Sequence, residues 1–137
     1  MQRILKFRVW DKILKCFLFD HRNTGLFFSR HQDITLGDLA VSYFITNSDS
    51  VVQQFIGLKD KDGKEIYEGD ILEQDVFQTC TTLTESVIFE DGAFRISPNY
   101  PNTYYRSNLN LDAVLIRAYN YKIIGNIFEN PDLIEKL

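Results

Sequence analysis

"FIGLKDKDGKEIYEGDIL", Phe55 to Leu72, decides the fold. Acidic side chains crowd around Gly63 and Gly69, as they do in loops that hold metal or phosphate. A helix–loop–helix calcium site needs carboxylates at its first, third and fifth positions, glycine at the sixth and a bidentate glutamate at the twelfth. Counted from Asp60, glycine comes at the fourth position, Lys64 at the fifth and Ile71 at the twelfth, so the pattern fails. A phosphate loop needs spaced glycines followed by Lys and Ser or Thr at a helix start. Here Gly63-Lys64 runs into Glu65 between strand-like segments. What remains is a pair of tight corners. Asp62-Gly63 has the composition of a two-residue hairpin turn, because both residues tolerate positive φ. Glu68-Gly69-Asp70 makes the second corner, and Val51–Leu58 and Ile71–Phe77 are the flanking strands.

The same period carries outward. Leu5, Phe7 and Val9 alternate with Lys6 and Arg8, which predicts a half-buried strand with a solvated basic side. Trp10-Asp11-Lys12 offers a turn, and Ile13–Phe19 returns as its partner. Between Leu26 and Asn47 the signals mix: Asp33 or Thr35 can cap a short helix through Leu36, Leu39, Ala40 and Tyr43. Thr46–Ser50 reads as a linker. Downstream, "TCTTLTE" joins the strand after the opening stretch to Ser86–Phe89, and "VIFEDGAFRI" is a second Asp-Gly hairpin turning at Asp91 and Gly92. "SPNYPNTYYRSNLN" is a loop. Asp112–Tyr119 is a short helix or a strand, Tyr121–Phe128 a last strand, and Asn130-Pro131 the start of a terminal helix with Leu133, Ile134 and Leu137 on its docking face. Short strands at close spacing predict a mainly β fold with minor α content, a small barrel or sandwich. Its expected core is Phe7, Val9, Phe55, Ile66, Ile71, Val87, Phe89, Phe94, Ile124 and Ile127.

Composition agrees. Eleven Phe and seven Tyr against one Met among 137 residues favour pleated, half-buried surfaces. Net charge is −4, with 10 basic and 10 acidic residues in 1–70 but 5 and 9 in 71–137. That balance disfavours a strong non-specific polyanion binder, whose affinity comes from neutralised phosphates. Cys16 and Cys80 are too few for a disulfide framework and lack partners at metal spacing, so both read as thiols in a reducing compartment. No stretch approaches a membrane span and no signal-type segment opens the sequence, which predicts a soluble cytoplasmic protein.

Chemistry-bearing constellations are sparse. Cys16, His21 and His31 lack the spacing of a site, and Cys16 sits in an apolar strand where thiols are usually core hydrophobes. Glu65, Glu68 and Asp70 read as solvated corner charges. No catalytic, metal or cofactor site is predicted. Binding is the better expectation: Arg95, Tyr100, Tyr104, Tyr105 and Arg106 combine residue types enriched at recognition hot spots, and Lys6 and Arg8 lie on the basic strand. Gly63, Gly69, Gly92 and Gly125 are read as fold determinants, at turns or close-packing positions.

"GLKDKDGKEIYEGDI" together with "IGNIFENP" resembles the YopX family of bacteriophage and prophage proteins. "KFRVWDK" (Lys6 to Lys12) is similar to the way that family begins, and "VIFEDGAFRI" to its middle hairpin. The resemblance implies a phage-encoded protein made in the bacterial cytoplasm, with an N-terminal β-rich part (1–50) and an SH3-like β-barrel (51–137) ending in a short helix. It implies no reaction. The expected function is therefore a non-enzymatic accessory module that binds a phage or host protein or self-associates as a homo-oligomer. Nucleic-acid binding is the second reading and a small enzyme the third. No cofactor and no membrane enters any of them.

Overall fold

The computed structural model describes residues 4–19, 49–76, 81–98 and 109–135. The helix expected around Leu36–Tyr43, the residues His21, His31 and Cys80, and Tyr100, Tyr104, Tyr105 and Arg106 lie outside them. The fold is mainly β, as the alternation predicted, with nine strands and two short helices among the described residues. The chain divides into two compact units, Met1–Phe55 and Ile56–Leu137, with the boundary inside a strand.

In the first unit β1 (Phe7–Asp11) lies between β2 (Cys16–Phe19) and the first part of β3 (Ser50–Lys59). All pairings are antiparallel, running Phe7↔Gln54 to Asp11↔Ser50 on one side and Trp10↔Phe17 and Asp11↔Cys16 on the other. Three expectations are corrected here. The turn falls at Lys12–Lys15, later than predicted, because the Asp11 carboxylate accepts from the backbone N–H groups of Ile13 at 2.8 Å and Leu14 at 2.7 Å. This local bond offers the backbone an alternative to the ladder, so β2 begins only at Cys16. Cys16 itself is exposed, not a core thiol. The basic side of β1 is also not solvated: Arg8, Val9 and Trp10 are all buried. Arg8 Nε donates to Gln53 Oε1 at 2.7 Å, and its guanidinium lies 4.6 Å from the Phe17 ring centre. Trp10 meets Phe17 edge-on at 5.0 Å. Alternation predicts one wet face only when that face is left uncovered.

The second unit continues from β3 through β4 (Glu65–Tyr67), β5 (Asp70–Val76), β6 (Thr81–Glu90), β7 (Ala93–Pro98), β8 (Leu109–Asn110), α1 (Ala113–Tyr119), β9 (Lys122–Asn126) and α2 (Asp132–Glu135). Five strands form an antiparallel sheet in the order β8-β7-β6-β5-β9. β6 starts earlier than expected, since Thr81–Thr84 pair with Glu73–Val76 and threonine suits a ladder.

Both Asp-Gly turns are present, but they differ. At the second, Asp91 (φ 50°) and Gly92 (φ 76°) both adopt the left-handed conformation between the paired residues Glu90 and Ala93, the mirror-image two-residue turn that the dipeptide predicted. At the first, only Gly63 (φ 80°) is left-handed, and the predicted two-residue turn is corrected. Gly63 N–H donates to the Asp60 carbonyl at 3.0 Å and Asp60 N–H to the Lys64 carbonyl at 2.9 Å, giving a three-residue loop closed by a glycine bulge. The cause is Asp60, whose carboxylate takes the N–H groups of Asp62 and Lys64, each at 2.9 Å.

The core of this unit comprises Ile66, Leu72, Val87, Ile96, Leu111, Ile116, Tyr121 and Ile123, with Ile56, Leu58, Leu115 and Tyr119 packed against it. Phe89 was expected there and is instead 57% exposed, because it lies at the hairpin end of β6, where the sheet has run past the core. Its ring pairs with that of Phe94 at 5.1 Å. Phe7, Phe94, Ile124 and Ile127 are half-buried. α1 resolves the choice left open by the sequence in favour of a helix: Asp112 caps it by accepting from Leu115 N–H at 2.7 Å, and left-handed Asn120 ends it. At the C-terminal end Asn130 does not cap through its side chain. Its oxygen instead accepts from Asn126 N–H at 3.2 Å, tying the α2 approach to β9.

Candidate functional site

A concavity lies in the second unit. The end of β3 and its turn form one wall and α1 the other, enclosing a cleft of about 490 Å³. Its lining includes Gly57, Leu58, Ile116 and Ala113, an apolar floor, and Lys59, Lys61 and Arg117, whose side chains are exposed. Sequence explains the geometry. Gly57, at φ 88°, leaves bare backbone with nothing within 4 Å of where a Cβ would stand. Ile116 faces the core while Arg117, one residue on, must point elsewhere on a helix. Lys61 N–H donates to the Tyr121 carbonyl at 3.0 Å, which fastens the turn beside the end of α1.

Asp60 also lines this cleft but is already occupied. One carboxylate oxygen accepts from Asp62 and Lys64, and the other from Ile123 N–H at 3.0 Å. The acidic residue that opened the metal question therefore serves the backbone, stitching the turn to β9. Among the described residues no group of three His, Cys, Asp or Glu side chains is arranged to hold a metal ion.

A second polar cluster lies inside the same unit. Glu85, Gln74 and Tyr121 are almost fully buried. Tyr121 donates its hydroxyl to Glu85, and Gln74 Nε2 donates to the same carboxylate oxygen at 3.4 Å. This cluster is enclosed by the core and does not open into the cleft lining.

In the first unit the notable surface is the β1–β2 tip. Ile13 and Leu14 are 70% and 64% exposed, between the exposed lysines Lys12 and Lys15. Asp11 holds their backbone in place.

Of the residues named from sequence, Tyr100, Tyr104, Tyr105 and Arg106 lie outside the described residues. Arg95 is half-buried and pairs with Asp91 at 3.3 Å and Glu90 at 3.9 Å, bracing the hairpin tip. Lys6 lies with its ammonium 5.5 Å from the Phe55 ring centre, and Arg8 is inside. Gly69, at φ 78°, makes the corner between β4 and β5, while Gly125 is a strand residue in close packing. The cleft was missed because Lys59 and Lys61 flank a turn while Arg117 comes from a distant helix. Asp11-Lys12 followed by two aliphatics was the available signal for the exposed tip.

The chain matches the YopX protein family over residues 6–135, nearly its whole length. It belongs to the YopX family. A solved structure of protein EF1440 from Enterococcus faecalis is similar to this YopX-family chain, with 28% sequence identity and a TM-score of 0.62, covering 98% of this chain and 100% of that one. No curated protein sequence matches it. The match spans the quoted blocks: β1 in the first unit, and the corners, the middle hairpin and the β9–α2 segment in the second. Among the described residues no helix is long and apolar enough to cross a membrane.

Proposed function

We propose that this YopX-family protein is a phage- or prophage-encoded accessory module of the bacterial cytoplasm that works by binding protein, either a phage or host partner or a second copy of itself, without catalysing a reaction. In this reading the chain has an N-terminal β-rich part and a C-terminal SH3-like barrel. The observation that carries it is the pair Ile13 and Leu14, held out to solvent on a turn whose N–H groups Asp11 binds. Adjacent large aliphatics on a hydrogen-bonded, lysine-flanked tip lose little entropy on docking, and burying each contributes about 1.5–3 kcal/mol. The flanking lysines favour a partner with acidic residues around an apolar depression.

Replacing both residues, Ile13→Ser with Leu14→Ser, tests it. The variant should keep its thermal midpoint and lose the partner that wild type captures from phage-infected cells, or lose self-association in sedimentation. Unchanged capture and unchanged sedimentation would remove the tip from the function. Nucleic-acid binding ranks below this reading because Arg8 of the basic strand is buried.

A further inference from the structure

The second unit carries two surfaces that complement each other and are remote in sequence. One is the cleft, apolar at its floor through Leu58, Ala113 and Ile116 and edged by three exposed cations, Lys59, Lys61 and Arg117, against the single carboxylate of Asp60. The other is the β6–β7 hairpin end. Phe89 stands there 57% exposed, beside Glu90 and Asp91, whose side chains are 46% and 75% exposed. Arg95 braces both carboxylates from one side. The two-residue turn fixes the backbone in advance, so little ordering cost remains on docking.

We infer that the cleft of one copy receives the Phe89–Glu90–Asp91 hairpin end of a second copy. The inference rests on the self-associating form of the function proposed above and gives it a site. The aromatic ring covers the apolar floor while the two carboxylates meet Lys59, Lys61 and Arg117. An aromatic anchor inside a charged rim is the usual energetic arrangement of a protein contact. A cleft of 490 Å³ is large enough for such an anchor and small for a folded domain. Because donor and acceptor are different surfaces, the contact is head-to-tail, and it leads to rings or open chains rather than to a closed two-fold dimer. A contact this small is at the weak end of specific interfaces, so it is read at tens of micromolar and above.

The test uses two full-length variants. One loses the acceptor, Lys61→Ala with Arg117→Ala; the other loses the donor, Phe89→Thr with Glu90→Gln and Asp91→Asn, where Asn retains the tolerance for positive φ. Circular dichroism and thermal midpoints establish that both fold. In sedimentation velocity, wild type should grow with concentration and each variant alone should stay monomeric. An equimolar mixture should form a one-to-one heterodimer and nothing larger, since each member keeps one half of the contact. A mixture that stays monomeric overturns the inference, as does a wild type monomeric at all concentrations. Association abolished by Ile13→Ser with Leu14→Ser but unaffected by either variant here overturns the site while leaving the proposed function standing. Single-stranded DNA bound by wild type and lost with Lys61→Ala and Arg117→Ala, without self-association, assigns the cleft to phosphates and overturns it too.

Discussion

The carboxylate of Asp60 accepts three backbone N–H groups, two within its own turn and one from Ile123 of β9, a strand of the other sheet. Charge-assisted bonds of this kind are worth about 1.5–3 kcal/mol, and the lost acceptor leaves a buried donor unpaired. Asp60→Ala should therefore lower unfolding free energy by about 2–4 kcal/mol in urea titration, with Asp60→Asn falling between it and wild type. An Asp60→Ala variant as stable as wild type would show that the turn is held otherwise. Gly92 separates steric crowding from backbone strain. Nothing lies within 4 Å of its missing Cβ, so any penalty there comes from φ 76° alone. Gly92→Val should cost about 1–2 kcal/mol and Gly92→Asn clearly less, as thermal midpoints would read. Equal midpoints for the two would contradict the left-handed turn.

At the scale of elements, α2 is seated by its approach rather than by length. It has only four residues, too few to persist alone. Asn130 N–H donates to the Asn126 carbonyl at 2.7 Å, and its side-chain oxygen accepts from Asn126 N–H. A Cβ on Gly125 would stand 2.6 Å from that side-chain oxygen and 2.9 Å from Leu133 Cδ1. Gly125→Ala should thus displace α2 from β9 and cost about 1–3 kcal/mol. Amide exchange in residues 126–135 should accelerate more than in β5 and β6; uniform protection would sink this account. The element-level reading from sequence was strongest where local chemistry is self-contained. Asp91-Gly92 specifies its own turn, whereas the choice between helix and strand at Asp112–Tyr119 waited for the Asp112 cap that the structure shows. It slipped at Asp11 and Asp60, where an aspartate recruits neighbouring N–H groups and moves or lengthens the turn without changing the hydrophobic pattern.

At the scale of the whole molecule, the net charge of −4 sets the expectation for polyanions. Binding that depends on counterion release falls steeply with salt. The protein should pass through immobilised single-stranded DNA at physiological ionic strength. Retention that weakens as salt rises would raise nucleic-acid binding above protein binding. Burial also has to be judged at this scale. Arg8 and Glu85 are charged residues that the chain encloses, the first beside Gln53 and Phe17, the second beside Gln74 and Tyr121. Removing the Tyr121 hydroxyl with Tyr121→Phe should destabilise by about 1–3 kcal/mol, measured by urea titration, because a buried carboxylate loses a donor it cannot replace with water. No effect would mean that the hydroxyl contact is not carrying Glu85.

Read alone, the residues determined the mainly β class, the left-handed turn glycines and the family, since each of these depends on neighbours along the chain. Which strand faces are covered, that Asp60 bonds Ile123, and that Lys59, Lys61 and Arg117 share one cleft were decided by tertiary structure. Those facts depend on groups brought together from far apart in the chain, and neither period nor composition records which distant partner arrives.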